Sequence, residues 1–338
     1  MNARASKNAS IKAFVRVFIP VLKNDLLRLA ERKLRVLLFL ILTVGAIAVA
    51  VFFNTQGDIV AHIAVVSKGE APASSANLRI TQLDEAPPMS ELVMGKYEAV
   101  VIFDDLGGYE IQTIKSDEFK QTLEAALSNQ STLDVEQIGS RGPGTNIIGF
   151  MMMFILMQGV TILFIFAEDK EKKQIRRIAA SPVSFTGYLC AHGFFAFLSL
   201  LVPVMAILAV VSMFNIDIGF GLLDYLLLSS LICALAAALA LFLVAFFKEG
   251  DSANMVGSAI VVLTSILAGC FYAFDKGNRI LEIIITALPQ KALLSMSNAL
   301  EQGGDLSRWL PYGLYVIALV AALLIVAVLK TRRDFVRN

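Results

Sequence analysis

Charge is scarce in this chain. Only 17% of its 338 residues are Asp, Glu, Lys or Arg, against about 25% in ordinary soluble domains. Cysteine, histidine and tryptophan number three, two and one. Cys190, Cys233 and Cys270 lie in or beside apolar runs with no CxxC spacing, which excludes a disulfide framework in a polar segment. His62 and His192 are too few for a zinc site built mainly on histidine. No GxxxxGK[ST] phosphate loop occurs: Gly95-Lys96 is followed by Tyr97, and Ser90 stands where the first glycine belongs. HExxH and GxSxG are missing too. The chain is therefore not expected to be an enzyme, nor to carry a cofactor or metal or to bind nucleic acid.

What it has in excess is apolar sequence, 57% of residues, with a mean hydropathy of +0.71. The excess is concentrated in six runs: 36–53, 146–167, 185–213, 222–247, 255–274 and 309–329. Runs of this kind match the roughly 20 residues a helix needs to cross about 30 Å of hydrocarbon. The fold class is an α-helical integral membrane protein with six transmembrane helices. Ala48-Val49-Ala50 resembles a signal cleavage site, but the polar stretch before Val36 is far longer than a signal peptide's opening region. An uncleaved first helix is expected.

Of the 29 Lys and Arg, 19 fall before the first run, between the second and third, after the fourth or after the sixth. The positive-inside rule then places both termini in the cytoplasm of a multi-pass plasma-membrane protein. Residues 54–145, with fourteen acidic and six basic residues, become an extracytoplasmic insert. Ile59–Val66, Leu78–Leu83, Tyr97–Phe103 and Tyr109–Ile114 read as short strands. Ser116-Asp117-Glu118 opens a helix with Phe119, Leu123 and Leu127 on one face. Gly139 to Gly144 returns the chain to the membrane. The insert reads as a small α/β domain.

Residues 1–35 read as a cytoplasmic amphipathic helix from Ile11 to Arg35. Lys12, Arg16 and Lys23 are gathered on one face, Phe14, Phe18 and Leu22 supply apolar contact, and Pro20 kinks the helix or starts a second piece. Asn278 to Arg308 is amphiphilic. Ile280–Leu288 is too short to cross, Pro289-Gln290-Lys291 interrupts, and Ala292–Leu300 resumes, as in a re-entrant hairpin over 278–305 before the last helix.

The membrane runs hold almost no ionisable residues: His192 in 185–213 and Asp224 in 222–247. That argues against ion-coupled transport, which uses buried charges. The second run carries Met151-Met152-Met153, Phe154, Met157 and Gln158. Phe154, Met157 and Gln158 are candidates for a transport pathway, although the same methionines suit ordinary packing. A mid-membrane amide such as Gln158 calls for a partner across an interface or in a cavity.

Between the second and third runs stands Glu168-Asp169-Lys170-Glu171-Lys172-Lys173-Gln174-Ile175-Arg176-Arg177-Ile178-Ala179-Ala180-Ser181-Pro182-Val183-Ser184. Acids lead and bases follow, as suits a short helix starting near Glu168. Glu168–Lys172 and Asp169–Lys173 are i, i+4 pairs, and Pro182 ends the helix. With Gly95-Lys96-Tyr97-Glu98-Ala99-Val100-Val101-Ile102 in the insert, this segment resembles the ABC-2 type permeases, also called type V ABC exporters. The resemblance implies a coupling helix over 168–182 that docks on a separate ATP-hydrolysing ABC subunit. Glu168, Asp169, Glu171, Gln174, Ile175, Arg176, Arg177, Ile178 and Pro182 are its candidate contacts. It also implies a second permease copy or relative as partner, and outward movement of substrate. Dry spans suit an amphiphilic, lipidic or peptide-like substrate. The residues alone leave two other readings open: a membrane-anchored envelope sensor or scaffold acting through 54–145, and a nucleotide-independent secondary carrier.

Overall fold

The computed structural model describes residues 2–56, 61–66, 78–83, 86–88, 91–92, 97, 99–103, 109–113, 120, 123–124, 142–172, 185–214, 218–247, 249–271 and 279–336. The chain divides into two compact units. One comprises residues 1–50, 143–273 and 282–338, the other residues 51–142 and 274–281.

The larger unit is helical. α1 (Asn2–Glu31) runs unbroken, with Pro20 inside it rather than opening a second piece. α2 (Lys33–Gln56) holds the first apolar run and ends in the other unit. α3 (Pro143–Ile162) and α4 (Phe164–Glu171) form one 29-residue rod, about 43 Å long at 1.5 Å per residue. α5 (Phe185–Met213), α6 (Leu222–Phe246) and α7 (Gly250–Leu267) follow. α8 (Arg279–Thr286) and α9 (Pro289–Glu301) meet at 73°, and α10 (Leu306–Val336) closes the chain. Among the described residues, five helices are long and apolar enough to cross a membrane: the α3–α4 rod, α5, α6, α7 and α10. In α2 the apolar helix Leu40–Phe52 is shorter.

The expected fifth span, 255–274, overruns its helix. α7 stops because Gly269 adopts φ +78°, with Gly269 N–H donating to Ile266 O and Cys270 N–H to Ser265 O. That is a Schellman ending, which glycine permits and the apolar residues beyond conceal. The hairpin break also moves: Pro289 does not interrupt the second arm but begins α9, where its missing N–H costs nothing. The Ala287 carbonyl freed at the break accepts from Tyr315 Oη of α10 at 2.6 Å.

α3 and α6 form the centre, with α6 packed on α3, α5 and α10. Small residues bring them close: a Cβ at Gly159 would lie 2.6 Å from Ala236 Cβ, an approach typical of helices packed in lipid. α2 contributes one stripe, Thr43, Ala46, Ile47 and Ala50, and exposes Leu37, Leu38, Ile41 and Phe52. Such exposed apolar faces suit a hydrocarbon solvent.

At the far end of the rod, Glu301 of α9 accepts from Gly144 N–H at 2.7 Å and Thr145 N–H at 3.0 Å. Its carboxylate caps α3 and satisfies N–H groups that have no helical partner. Thr145 and Ser297 hydroxyls meet at 3.1 Å beside it. Glu301→Ala is expected to cost about 1–2 kcal/mol and to speed amide exchange in the first turn of α3, read by hydrogen–deuterium exchange.

In the smaller unit, β1 (Ala61–Val66), β2 (Leu78–Leu83), β3 (Ala99–Phe103) and β4 (Tyr109–Gln112) lie inside the four expected strand ranges. The sheet order is β2-β1-β3-β4; β1 is parallel to β2 and β3, and β3 is antiparallel to β4. Ala64 and Val100 pack with Leu92 and Tyr97 on one face, while Val65, Val101 and Ile111 are buried as well. Parallel strands need crossovers and carry apolar residues on both faces. The helix expected from Ser116 lies outside the described residues except for 120 and 123–124.

Candidate functional site

The last turn of α4 is Glu168-Asp169-Lys170-Glu171. Each of these four consecutive side chains is bound to another helix, and together they reach four helices. At 100° per residue, successive positions point in different directions, so one turn surrounded by helices can address several of them.

Glu168 faces α1. Its Oε1 accepts from Arg32 Nη2 at 2.7 Å, and its Oε2 from Arg32 Nη2 at 2.9 Å and Arg28 Nη2 at 3.2 Å. Asp169 is buried between α1 and α5: Oδ1 accepts from Arg28 Nη1 at 2.9 Å and Oδ2 from Tyr188 Oη at 2.8 Å. Charge-assisted bonds of this length are the strong kind. Burial disfavours charge on Arg28, yet the adjacent Asp169 carboxylate with its hydrogen bond, and then Asp25 and Glu168, outweigh it and hold the guanidinium pKa above its ordinary value. That contribution persists throughout neutral pH and is lost only in strong alkali.

Lys170 turns the other way. Its Nζ donates to Val244 O at 2.6 Å, Ala245 O at 3.1 Å and Phe247 O at 2.6 Å, closing the carbonyl end of α6 with a cation. Glu171 Oε1 accepts from Gly250 N–H at 2.8 Å, placing a carboxylate at the N-terminus of α7. Lys170 and Glu171 thus pin the α6–α7 corner from both sides. Gly250 is needed there, since a Cβ would lie 2.7 Å from Ala167 Cβ.

Deeper in, His192 of α5 is fully buried, with Nδ1 2.6 Å from Asp25 Oδ2 of α1 and Nε2 3.9 Å from Asp169 Oδ2. The Asp25–His192 approach lacks hydrogen-bond alignment. Tyr188 and His192 rings meet edge-on at 4.5 Å, and Phe166 covers His192 at 5.2 Å. Three carboxylates, two guanidiniums and one imidazole therefore share this junction.

The geometry corrects part of the sequence reading. Glu168 does not open a helix; it lies in the last turn of one continuing from α3. The Glu168–Lys172 pair is 3.9 Å long and secondary to the two arginines. Exposed i, i+4 pairs contribute only a few tenths of a kcal/mol, so the part-buried arginines at the end of α1 win. Gln174, Ile175, Arg176, Arg177, Ile178 and Pro182 lie outside the described residues. Gln158 is buried, and its Oε1 and Nε2 are each 3.2 Å from the Thr43 hydroxyl of α2. Phe154 and Met157 are half-buried on a face of α3 distinct from the buried Met151 and Met152.

Asp25, Arg28, Arg32, Lys170 and Tyr188 were not among the residues singled out by sequence. A signal existed: Asp25 and Arg28 of α1 and Arg32 just past its end recur at i, i+3 and i+7, the spacing of one helical face.

These features define a polytopic helical membrane protein whose spans are tied together by ion pairs at one end of a central rod. The family model described as ABC-2 family transporter protein matches residues 61–330, and the chain belongs to that family, the membrane components of ABC transporters that associate with an ABC ATPase subunit. No curated protein sequence matches it.

Proposed function

We propose that this chain is the permease of an exporter in which two permeases, identical or related, join two ATPase subunits. Both termini face the cytoplasm, residues 54–145 lie outside, and α2 completes a set of six spans. The ATPase engages residues 168–182, and α1 lies along the inner membrane surface. Its exposed stripe of Val15, Ile19 and Leu26 gives it an apolar face for that position. The cargo is an amphiphilic, lipidic or peptide-like molecule.

One observation carries this reading. The turn joining the rod to the coupling segment holds α1, α5, α6 and α7 at once. A push delivered just beyond Lys172 is therefore shared by four helices instead of bending one loop. The rod then passes it to the hairpin through Glu301. Motion between packed arrangements of this kind occurs as discrete shifts of whole helices.

Glu168→Ala and the pair Arg176→Ala/Arg177→Ala, each reconstituted with the ATPase, test the proposal. Permease-dependent stimulation of ATP hydrolysis should fall in both. Stimulation unchanged in both variants would overturn the coupling role.

A further inference from the structure

α5 and α10 both pack on α6 and leave between them an apolar groove of about 240 Å³, below the roughly 300–1,000 Å³ of sites for drug-sized ligands. Its floor is built from small residues, Ala234, Ala237 and Ala238 of α6 with Gly193 of α5. Phe194 and Phe197 of α5 form one wall, their rings stacked at 6.2 Å, and Leu324 and Val328 of α10 form the other. Along α10 the groove runs from Val320 to Thr331, about 16 Å at 1.5 Å per residue. Among the described residues, none that lines it is charged. The Thr331 hydroxyl turns back on its own helix and donates to Ala327 O at 2.7 Å. A second helix, about 10–12 Å across, is too wide to enter. An alkyl chain fits.

The Thr331 end is bordered by Leu189 and Cys190, one turn into α5, and positive charge gathers there. Lys330, Arg332 and Arg333 adjoin Thr331, with both arginines exposed. From residue 330 onward the sequence carries four basic residues against Asp334. Residues 172–184, which lead into α5, carry four more and no acidic one. Lys330 Nζ lies 6.0 Å over the Phe246 ring of α6, which keeps a cation on the α6 side of the same end. From a chain-width groove that ends among basic residues we infer that it holds one acyl chain of an anionic phospholipid, with the phosphate among Lys330, Arg332 and Arg333. Basic clusters where spans leave the membrane attract anionic headgroups, and a zwitterionic headgroup offers them no net charge. The bound chain fills the gap between α5 and α10 and lies against Phe194, whose ring also meets Phe18 of α1 at 5.6 Å. It thereby braces the end of α10 against the α1–α5 pair that carries the junction. This goes beyond the exporter reading and depends on neither an ATPase nor a direction of transport.

The test reads which lipid sits in the groove. The chain has one tryptophan, Trp309, so Trp309→Phe with Phe197→Trp leaves a single fluorophore, set in the groove wall of the full-length chain. It is reconstituted in vesicles of equal phosphatidylcholine and phosphatidylglycerol, with bromine on the acyl chains of one lipid or the other as quencher. Quenching should report about a fivefold preference for phosphatidylglycerol. Ile325→Trp in the same Trp309→Phe background is the comparison, since Ile325 is exposed one position from Leu324 of the groove. There the preference should stay below about twofold. Lys330→Gln, Arg332→Gln and Arg333→Gln combined should reduce the preference at Phe197→Trp to that same level. These changes lie at or near the surface, so the chain still folds and the quenching remains readable. Equal quenching by both lipids in the groove, an equal preference at Ile325→Trp, or a preference unchanged by the three substitutions would overturn the inference.

Discussion

Asp169→Ala is expected to cost on the order of 3–5 kcal/mol, the usual loss when one partner of a buried ion pair is deleted. Asp169 is 4% exposed and joins three elements. Removing it takes the bond at 2.9 Å from Arg28 and the bond at 2.8 Å from Tyr188, and leaves a buried phenol hydroxyl without its acceptor. An unsatisfied buried donor costs about 1–3 kcal/mol by itself. Asp169→Asn keeps one acceptor oxygen and should lose roughly half as much. Thermal unfolding of the purified chain in nanodiscs should rank wild type above Asn above Ala. Equal midpoints for wild type and Asp169→Ala would mean that α1 does not depend on this carboxylate.

Gly149→Val should damage the bundle more than any change to its lipid-facing surface. A Cβ at Gly149 would overlap the Cys270 carbonyl oxygen and touch Leu294 Cδ2 at 3.4 Å. The carbonyl belongs to the turn that ends α7 and has no side-chain freedom to move away. Overpacking of this kind typically costs about 1–3 kcal/mol and more where backbone must shift. Gly45→Ala provides the contrast, because nothing lies within 4 Å of its added Cβ. It should stabilise α2 by about 0.4–1 kcal/mol through reduced freedom of the unfolded chain. Folded yield and unfolding midpoint check both signs.

The spans and strands were readable because burial imposes local periods that a short window detects. α5 matches its expected range residue for residue, and each strand falls within its own. Errors came where an apolar run outlasts its helix, as beyond Gly269, or where a proline opens a helix rather than interrupting one, as at Pro289. The junction was harder to see. Arg28 and Asp169 are 141 positions apart, and basic residues ahead of a first span read as topology signals with no partner implied. The shared spacing of Asp25, Arg28 and Arg32 marks one helical face, but nothing local says that α1 turns that face inward. By sequence alone, the order of charges in 168–173 suits the dipole of the helix containing them. Lys170 and Glu171 do serve helix dipoles, but those of α6 and α7. A rule about sign and terminus was sound; the assumption that the terminus belonged to the same helix was not.

The central claim is that α1 and the end of α4 move as one body when the ATPase works. In a Cys190→Ser background, Arg32→Cys and Glu168→Cys replace the 2.7 Å ion pair with two thiols, which a short reversible bifunctional thiol reagent can bridge. Permease-stimulated ATP hydrolysis should be lost in the free dithiol, restored when the thiols are bridged, and lost again on reduction. Stimulation that survives with the thiols free, or that disappears when they are bridged, would contradict the account.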